Sequence, residues 1–518
     1  MYASPDGLFV TDLLFRAASQ FGDRTAVIDT SYDPPLRISY ADYAARVRAF
    51  ARSLVATGVR PGEVVAIFLA NSWEFCVAFH AIQLIGAVPT PLNPAYRERE
   101  VLFQLENSGA VVLITDGSLI RDIPLGGNLR RIYTTRKPAG GAEPFLKLLG
   151  LSKAKLIPPD TDPRLALAAL PFSSGTTGMP KGVMLTHHNL VANVYQTLGA
   201  GGNTPIFTRD DVCLCFLPLY HIYGLNVALN PVLSVGATLV LMPRFDTGRA
   251  LRYITDLGIT CMPCVPPVLN AFCVAAEKGL FPADHQLRWV KSGAAPLPPE
   301  LARRFHELTG IPIRQGYGMT EASPVTHIGL LEPEFYQPAS IGIPVAETEC
   351  HILDDDGNEV ATGEVGELVM RGPQFMLGYW KSPEATDAVM RDGWYFSGDM
   401  VRLDADGFYF IVDRRKEMIK YKGFPVAPAE VESVLMEHPV VRDCGVVGRK
   451  DPAAGEIPCA FVVLREGGPG SEILKQELSS FVAERLTGYK QPRDFFFVSN
   501  IPRNPSGKIL RRELRRLL

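Results

Sequence analysis

The segment Ser173-Ser174-Gly175-Thr176-Thr177-Gly178-Met179-Pro180-Lys181-Gly182 follows the apolar run 165–172 and leads into a second apolar run. Gly175 and Gly178 let backbone N–H groups approach an anion closely. The hydroxyls of Ser173, Ser174, Thr176 and Thr177 offer further donors, and Lys181 adds a compact positive charge. These are the parts needed to hold a polyphosphate. The spacing Gly175-x-x-Gly178-x-x-Lys181 is not a Walker A loop, which needs a wider gap and a closing Lys-Ser/Thr pair. A Ser/Thr/Gly-rich turn alone would be a plain surface loop. The strand–loop–apolar arrangement is what favours a phosphate-holding turn within an α/β sheet.

Working outward, residues 63–69, 111–115 and 238–242 also read as buried strands. A helix opens at Ser39 and Asp42, which read as a capping box, and runs through Tyr43, Val47, Phe50 and Leu54 to Gly58. Strands interleaved with helices predict mixed and parallel sheets flanked by helices. After Ile341 the pattern changes to short strands, 351–354 and 367–370, separated by Asp, Asn and Gly turns. This hairpin-rich part reads as a small β-barrel-like subdomain. Beyond Arg414, Pro428 opens a helix through Val431 and Leu435, residues 459–464 and 495–498 read as strands, and the end is helical. The expected architecture is therefore α/β: a large N-terminal domain, 1–412, and a smaller, mobile α+β C-terminal domain, 413–518. Asp413 and Arg414 lie between a strand and a charged segment, the place for a hinge.

Composition narrows the function classes. With 518 residues the chain is too long for one ordinary core. Its net charge of −3 gives no bulk electrostatic case for nucleic acid or an anionic membrane. Nine cysteines, an odd number in a chain this long, form no disulfide framework. Cys261 and Cys264, spaced as CxxC among Met, Pro and Val, read as buried apolar residues. No zinc-type cluster of His and Cys is present. His80 and Gln83 interrupt the best candidate for a membrane span, and the acidic start at Asp6 and Asp12 is unlike a signal peptide. The chain reads as cytoplasmic, and a homodimer is left open.

The 173–182 segment resembles the signature loop of the adenylate-forming superfamily, which includes acyl-CoA synthetases, firefly-type luciferases and peptide-synthetase adenylation domains. Further segments similar to that family follow in its order. They are Pro218-Leu219-Tyr220-His221-Ile222-Tyr223-Gly224, Gly316-Tyr317-Gly318-Met319-Thr320-Glu321, Trp394-Tyr395-Phe396-Ser397-Gly398-Asp399, Asp413-Arg414-Arg415-Lys416-Glu417 and Pro505-Ser506-Gly507-Lys508. The closest likeness is to 4-coumarate-type CoA ligases, through Lys420-Tyr421-Lys422-Gly423-Phe424 and Ser292-Gly293-Ala294-Ala295-Pro296.

The resemblance implies an ATP-dependent, AMP-forming acid:CoA ligase with ATP, Mg²⁺ and CoA as partners. It places Lys508 between carboxylate and α-phosphate, Glu321 on Mg²⁺, Thr320 on phosphate and Tyr317 against adenine, with Gly316, Gly318 and Met319 beside them. Asp399 and Arg414 would hold the ribose, and His221 would stand between acid and phosphates. The acyl pocket would comprise His221, Tyr223, Val227, Lys291, Ala294, Gly316, Pro324 and Val325, suiting an aromatic or fatty acid. The hinge would run from Asp413 to Lys416, and Lys420, Lys422, Gly423 and Phe424 would serve the thioester step. One departure stands out: Pro425 replaces the Gln usual after this segment, and proline has no N–H to donate. A carrier-protein thiol, an amine or an inorganic nucleophile therefore remain open as acceptors. A luciferase-like oxygenase and a non-catalytic nucleotide-binding regulator are the other readings.

Overall fold

The computed structural model describes the chain except residues 1–6, 121–125, 138–139, 151, 158, 174–179, 201–205, 331–336, 416, 423, 453, 466, 469 and 504–507. Residues 174–179, the centre of the phosphate-loop segment, thus lie outside the described residues, as do Lys416 and Gly423.

Among the described residues, five sheets organise the molecule. The largest runs Ile343–Pro344, Val325–Ile328, Ile313–Gly318, Trp289–Ser292, Cys261–Cys264, Val212–Cys215, Thr238–Leu241, Thr25–Asp29 and Leu36–Ser39. Its middle is parallel and its two edges are antiparallel. A second sheet, Val88–Pro91, Val64–Phe68, Val112–Thr115, Arg131–Thr134 and Glu143–Pro144, is wholly parallel. Its central strands Val64–Phe68 and Val112–Thr115 are buried at every position, as a sheet covered on both faces requires. Helix Trp73–Leu84 lies between the layers, and residues 73–83 are all buried. Ser72 caps that helix by accepting the Phe75 N–H at 3.3 Å. Ser39 caps helix Tyr40–Ala56 by accepting the Asp42 N–H at 3.1 Å, as its sequence announces.

The 165–172 run forms two short strands, Leu167–Ala169 and Phe172–Ser173, rather than one. Pro171 separates them, since it cannot donate to a ladder. Lys181–Thr186 pairs with both, and on its other side with Gly378–Tyr379. The hairpin-rich region forms an antiparallel sheet of Glu349–Leu353, Val365–Arg371, Met390–Arg391, Trp394–Leu403 and Tyr409–Arg414. Asp413 and Arg414 belong to its last strand, paired with Met400 and Asp399, rather than following it. The ladder continues through them because Asp413 is buried and Arg414 has Asp399 opposite.

The last sheet, Phe424–Val426, Ile419–Tyr421, Gly455–Leu464, Val441–Asp451 and Asp494–Phe497, has its own core around Val431, Leu435, Val446, Val462, Leu478 and Val482. Cys261 and Cys264 are buried in the strand they bound, as their apolar neighbours indicate.

Candidate active site

The main cleft, of about 1800 Å³, opens where strand ends of the large sheet meet the phosphate-loop strands and the antiparallel sheet. Strand Ile313–Gly318 delivers Gly316, Tyr317 and Gly318 to its wall, and the turn Thr320–Ala322 adds Thr320 and Glu321. The tight return after this turn depends on Gly318, where a Cβ would stand 1.9 Å from the Pro324 carbonyl oxygen. Met319 also lines the cleft.

Asp399 is 3% exposed and holds two donors. The Arg414 Nε lies 2.9 Å from its Oδ1, and the Tyr317 hydroxyl donates to its Oδ2 at 2.5 Å. Register explains the first contact, because Asp399 and Arg414 face each other across adjacent strands. Burial and the Asp399 carboxylate push the Tyr317 phenol well up, which keeps its proton on the hydroxyl. All three side chains line the cleft.

Glu321 is 8% exposed, and its Oε1 accepts from the Tyr379 hydroxyl at 2.8 Å and the Ser173 hydroxyl at 3.1 Å. The Lys181 ammonium stands 5.1 Å from the centroid of the Tyr379 ring. A carboxylate from the Thr320–Ala322 turn beside a hydroxyl and a lysine on paired strands suits Mg²⁺ arriving with a polyphosphate, since Mg²⁺ takes one or two carboxylates and lets phosphate oxygens complete its shell. Among the described residues no three His, Cys, Asp or Glu side chains gather into a metal cage.

His221 faces the cleft, and its Nδ1 accepts the Tyr223 N–H at 3.2 Å. Desolvation lowers its pKa to about 4, so the ring is neutral near pH 7. The Tyr223 hydroxyl donates to the backbone oxygens of Cys264 (3.3 Å) and Lys291 (3.2 Å), which leaves the ring as a wall. Val227, Ala294, Pro324 and Val325 line the same end of the cleft, joined by Ile328. Lys291 is 5% exposed and donates to the Gly329 carbonyl at 3.0 Å. A Cβ on Gly316 would lie 3.6 Å from the His327 carbonyl oxygen, so the fold tolerates a methyl group there. Lys508 and Arg503 close the cleft from the C-terminal unit.

The structure therefore gathers Lys508, His221, Thr320, Glu321, Ser173, Lys181, the Gly316–Met319 segment, Asp399, Arg414 and the acyl-pocket residues around one space. It does not bring the second-step segment there. Lys420 and Lys422 are exposed, Phe424 is 57% exposed with its ring 5.2 Å from that of Tyr489, and none of the three lines the cleft. Sequence reading missed Tyr379 and Tyr395, two hydrogen-bonded tyrosines behind Glu321. The only signal for Tyr379 was a Gly-Tyr-Trp triplet in a strand of two residues.

Comparison with known proteins places this geometry. Residues 14–380 match the family described as AMP-binding enzyme, and residues 430–508 match the AMP-binding enzyme C-terminal domain. The chain belongs to the AMP-binding enzyme family. It is 40% identical over 527 residues to 4-coumarate–CoA ligase 5 of Oryza sativa subsp. japonica, covering 99% of this chain and 95% of that relative. A 4-coumarate–CoA ligase of Narcissus pseudonarcissus is 38% identical, with 99% and 94% covered. Among solved structures, a benzoate CoA ligase from Burkholderia xenovorans LB400 superposes with a TM-score of 0.87 at 30% identity, covering 98% of this chain and 100% of that one. An o-succinylbenzoate CoA synthetase from Bacillus subtilis, in complex with ATP and magnesium ion, superposes with a TM-score of 0.82 at 32% identity, with 97% and 99% covered.

Proposed function

We propose that the protein is an ATP-dependent, AMP-forming ligase that joins an aromatic carboxylic acid to CoA. The carboxylate oxygen attacks the α-phosphorus of ATP, the bond to the β-phosphate oxygen breaks, and pyrophosphate leaves. The CoA thiol then attacks the acyl carbonyl of the adenylate, loses its proton, and displaces AMP. The observation that carries this reading is the convergence of Lys508, Glu321, His221 and the Tyr317–Asp399–Arg414 set on one cleft.

Both reactants of the first step are anionic, so the protein's work is positioning and charge neutralisation. Lys508 bridges the carboxylate and the α-phosphate. Thr320, Ser173, Lys181 and residues 174–178 hold phosphate oxygens. Asp399 accepts from the ribose hydroxyls, and Arg414 keeps its carboxylate in place. Tyr317 and Gly316 cover the adenine. Magnesium would be held by Glu321 and the phosphates of ATP, and it would supply charge neutralisation for the departing pyrophosphate. His221, neutral and half-buried, separates the acid from the phosphates. The apolar walls of Val227, Val325 and Ile328 and the open space at Gly316 suit a planar ring.

The boundary between the two domains falls at residues 412 and 413, with the hinge at Asp413–Lys416. Rotation about it would withdraw Lys508 and bring Lys420, Lys422, Gly423 and Phe424 to the cleft for the thioester step. Two arrangements of one site separate two reactions and protect the adenylate from water. No helix among the described residues is long and apolar enough to cross a membrane. A cytoplasmic setting, where ATP and CoA are supplied, fits this chemistry. Light scattering would decide between monomer and homodimer.

The test supplies ATP, Mg²⁺ and a panel of cinnamic, benzoic and fatty acids, with and without CoA. Acid-dependent pyrophosphate release, a CoA-dependent acyl-CoA product, and loss of both in Lys508→Ala are expected. Pyrophosphate release without any CoA stimulation would retain the first step and transfer the acyl group to another acceptor.

A further inference from the structure

Lys508 lines the cleft, and the segment that follows it is tied to residues outside the cleft. The segment that bears it folds back on the preceding strand connection. Arg503 bridges to Ile509 in antiparallel fashion, and the Leu510 N–H donates to the Pro502 carbonyl at 2.8 Å. Three residues beyond Lys508, Arg511 begins the helix Arg511–Arg515. Its Nη2 lies 2.9 Å from the Glu432 Oε2, with the two side chains only 12% and 13% exposed. The other oxygen of Glu432 accepts the Val446 N–H at 2.7 Å, so this carboxylate is anchored to helix Pro428–Met436 and to strand Val441–Asp451 together.

The Arg511 charge also acts on Asp413. That carboxylate is 6% exposed and accepts the N–H groups of Ala429 (2.9 Å) and Arg414 (2.7 Å). Burial pushes Asp413 up, and the nearby Arg511 opposes the push. Glu417, salt-bridged to Arg515 at 2.6 Å, is a further acid beside Arg511. One guanidinium thus stands among the lysine-bearing segment, the helix Pro428–Met436, and Asp413 at the end of strand Tyr409–Arg414. Arg503–Asp443 at 2.7 Å and the fully buried Leu514 pin the two ends of the same segment to strand Val441–Asp451. At Gly445 on that strand a Cβ would stand 2.7 Å from Leu514, so the packing there is close.

We propose that Arg511 is a positioning residue for adenylation: its ion pair with Glu432 beside Asp413 sets the place and direction from which Lys508 enters the cleft. Arg511 itself does not line the cleft, so it acts through the lysine segment. The inference rests on the two-step reading above. An ordinary structural ion pair would affect both steps alike. A lysine-positioning pair affects only the step that needs the lysine in the cleft.

The two half-reactions separate these cases. Pyrophosphate–ATP exchange in the presence of the acid reads adenylation. Conversion of chemically prepared cinnamoyl-adenylate and CoA to cinnamoyl-CoA reads the second step without the first. Arg511→Lys keeps the charge but loses the planar fork. Arg511→Met combined with Glu432→Gln removes both charges of the pair and keeps an acceptor for the Val446 N–H, while Asp413 retains the Ala429 and Arg414 N–H groups. Misplacing a reacting group by about 1 Å costs about a hundredfold in rate. Adenylation is therefore expected to fall by about that factor in the double variant, close to Lys508→Ala. The thioester step should remain within about threefold of wild type, with an unchanged thermal unfolding midpoint. Equal losses in both steps, or none in either, would overturn the proposal. Amide exchange at Ile509 and Leu510 gives a readout independent of activity. It should quicken in the double variant, and unaltered protection would overturn the clamp even if the wild type adenylates no acid in the panel. In that last case the ligase reading fails separately, on the absence of exchange in the wild type.

Discussion

At the scale of single residues, two glycines two positions apart on strand Ile313–Gly318 have opposite reasons to be glycine. A Cβ on Gly316 meets nothing closer than 3.6 Å, whereas one on Gly318 would collide with the Pro324 carbonyl oxygen at 1.9 Å. Gly316→Ala should therefore leave stability within about 0.5 kcal/mol while narrowing the acyl pocket. Ring-substituted cinnamates should lose kcat/KM relative to unsubstituted acids, and an unchanged preference would remove Gly316 from the pocket wall. Gly318→Ala should destabilise by roughly 1–3 kcal/mol, read from urea unfolding. Asp399 carries a different load, since Tyr317 and Arg414 both depend on its charge. Hydrogen bonds to charged groups are worth about 1.5–3 kcal/mol. Asp399→Asn should thus reduce kcat/KM for ATP roughly ten- to hundredfold, with the constant for the acid little changed. A loss shared equally by both substrates would argue against the ribose role.

At the scale of elements, the phosphate side of the cleft is built where Lys181–Thr186 pairs with Phe172–Ser173 on one side and Gly378–Tyr379 on the other. This pairing brings the hydroxyls of Ser173 and Tyr379 onto one oxygen of Glu321, from residues 148 and 58 positions away in sequence. Tyr379→Phe removes one donor worth about 1 kcal/mol, so the Mg²⁺ concentration that half-saturates pyrophosphate release should rise about fivefold. An unchanged Mg²⁺ dependence would show that Ser173 alone orients the carboxylate. The same element explains how far sequence reading reached. Periodicity and flanking turns located the parallel strands, the hairpins and the C-terminal helix start at Pro428 to within a few residues, because those signals are local. The Asp399–Arg414 pair was legible because each of its residues sits in a contiguous motif. Tyr379 was not, since its strand has two residues and its role comes from a neighbour far along the chain. The pairing of Arg511 with Glu432 was hidden for the same reason. Arg511, Arg512, Arg515 and Arg516 look alike in the sequence, and only packing of helix Arg511–Arg515 on strand Val441–Asp451 buries one of them.

At the scale of the whole molecule, the large body holds charge-poor layers with histidines folded into them. His80, His187 and His327 are at most 1% exposed, and desolvation lowers their pKa values to about 4, about 3 and about 3. Each is neutral in the fold and has an ordinary pKa near 6.5 once unfolded. The unfolded state therefore binds more protons below pH 6.5. Stability is complete above that value, is lost as the pH falls toward the folded pKa, and changes no further below it. Each such histidine costs about 1.4 kcal/mol per pH unit in that window, so the three together cost about 4 kcal/mol per unit. Glu74, Asp413 and Glu432 act with the opposite sign, because burial raises their carboxyls and the fold takes up their protons more readily. His187 is the cleanest probe: its Nδ1 accepts the Val10 N–H at 3.2 Å, and its Nε2 is buried without a hydrogen bond. In His187→Asn the amide oxygen can accept the same N–H, and the titrating group is gone. Urea unfolding at several pH values should show the slope of stability against pH reduced by about 1.4 kcal/mol per pH unit, whatever the variant's stability at pH 7. A slope equal to that of wild type would mean that His187 takes up its proton without unfolding, and that the buried layer around it admits water.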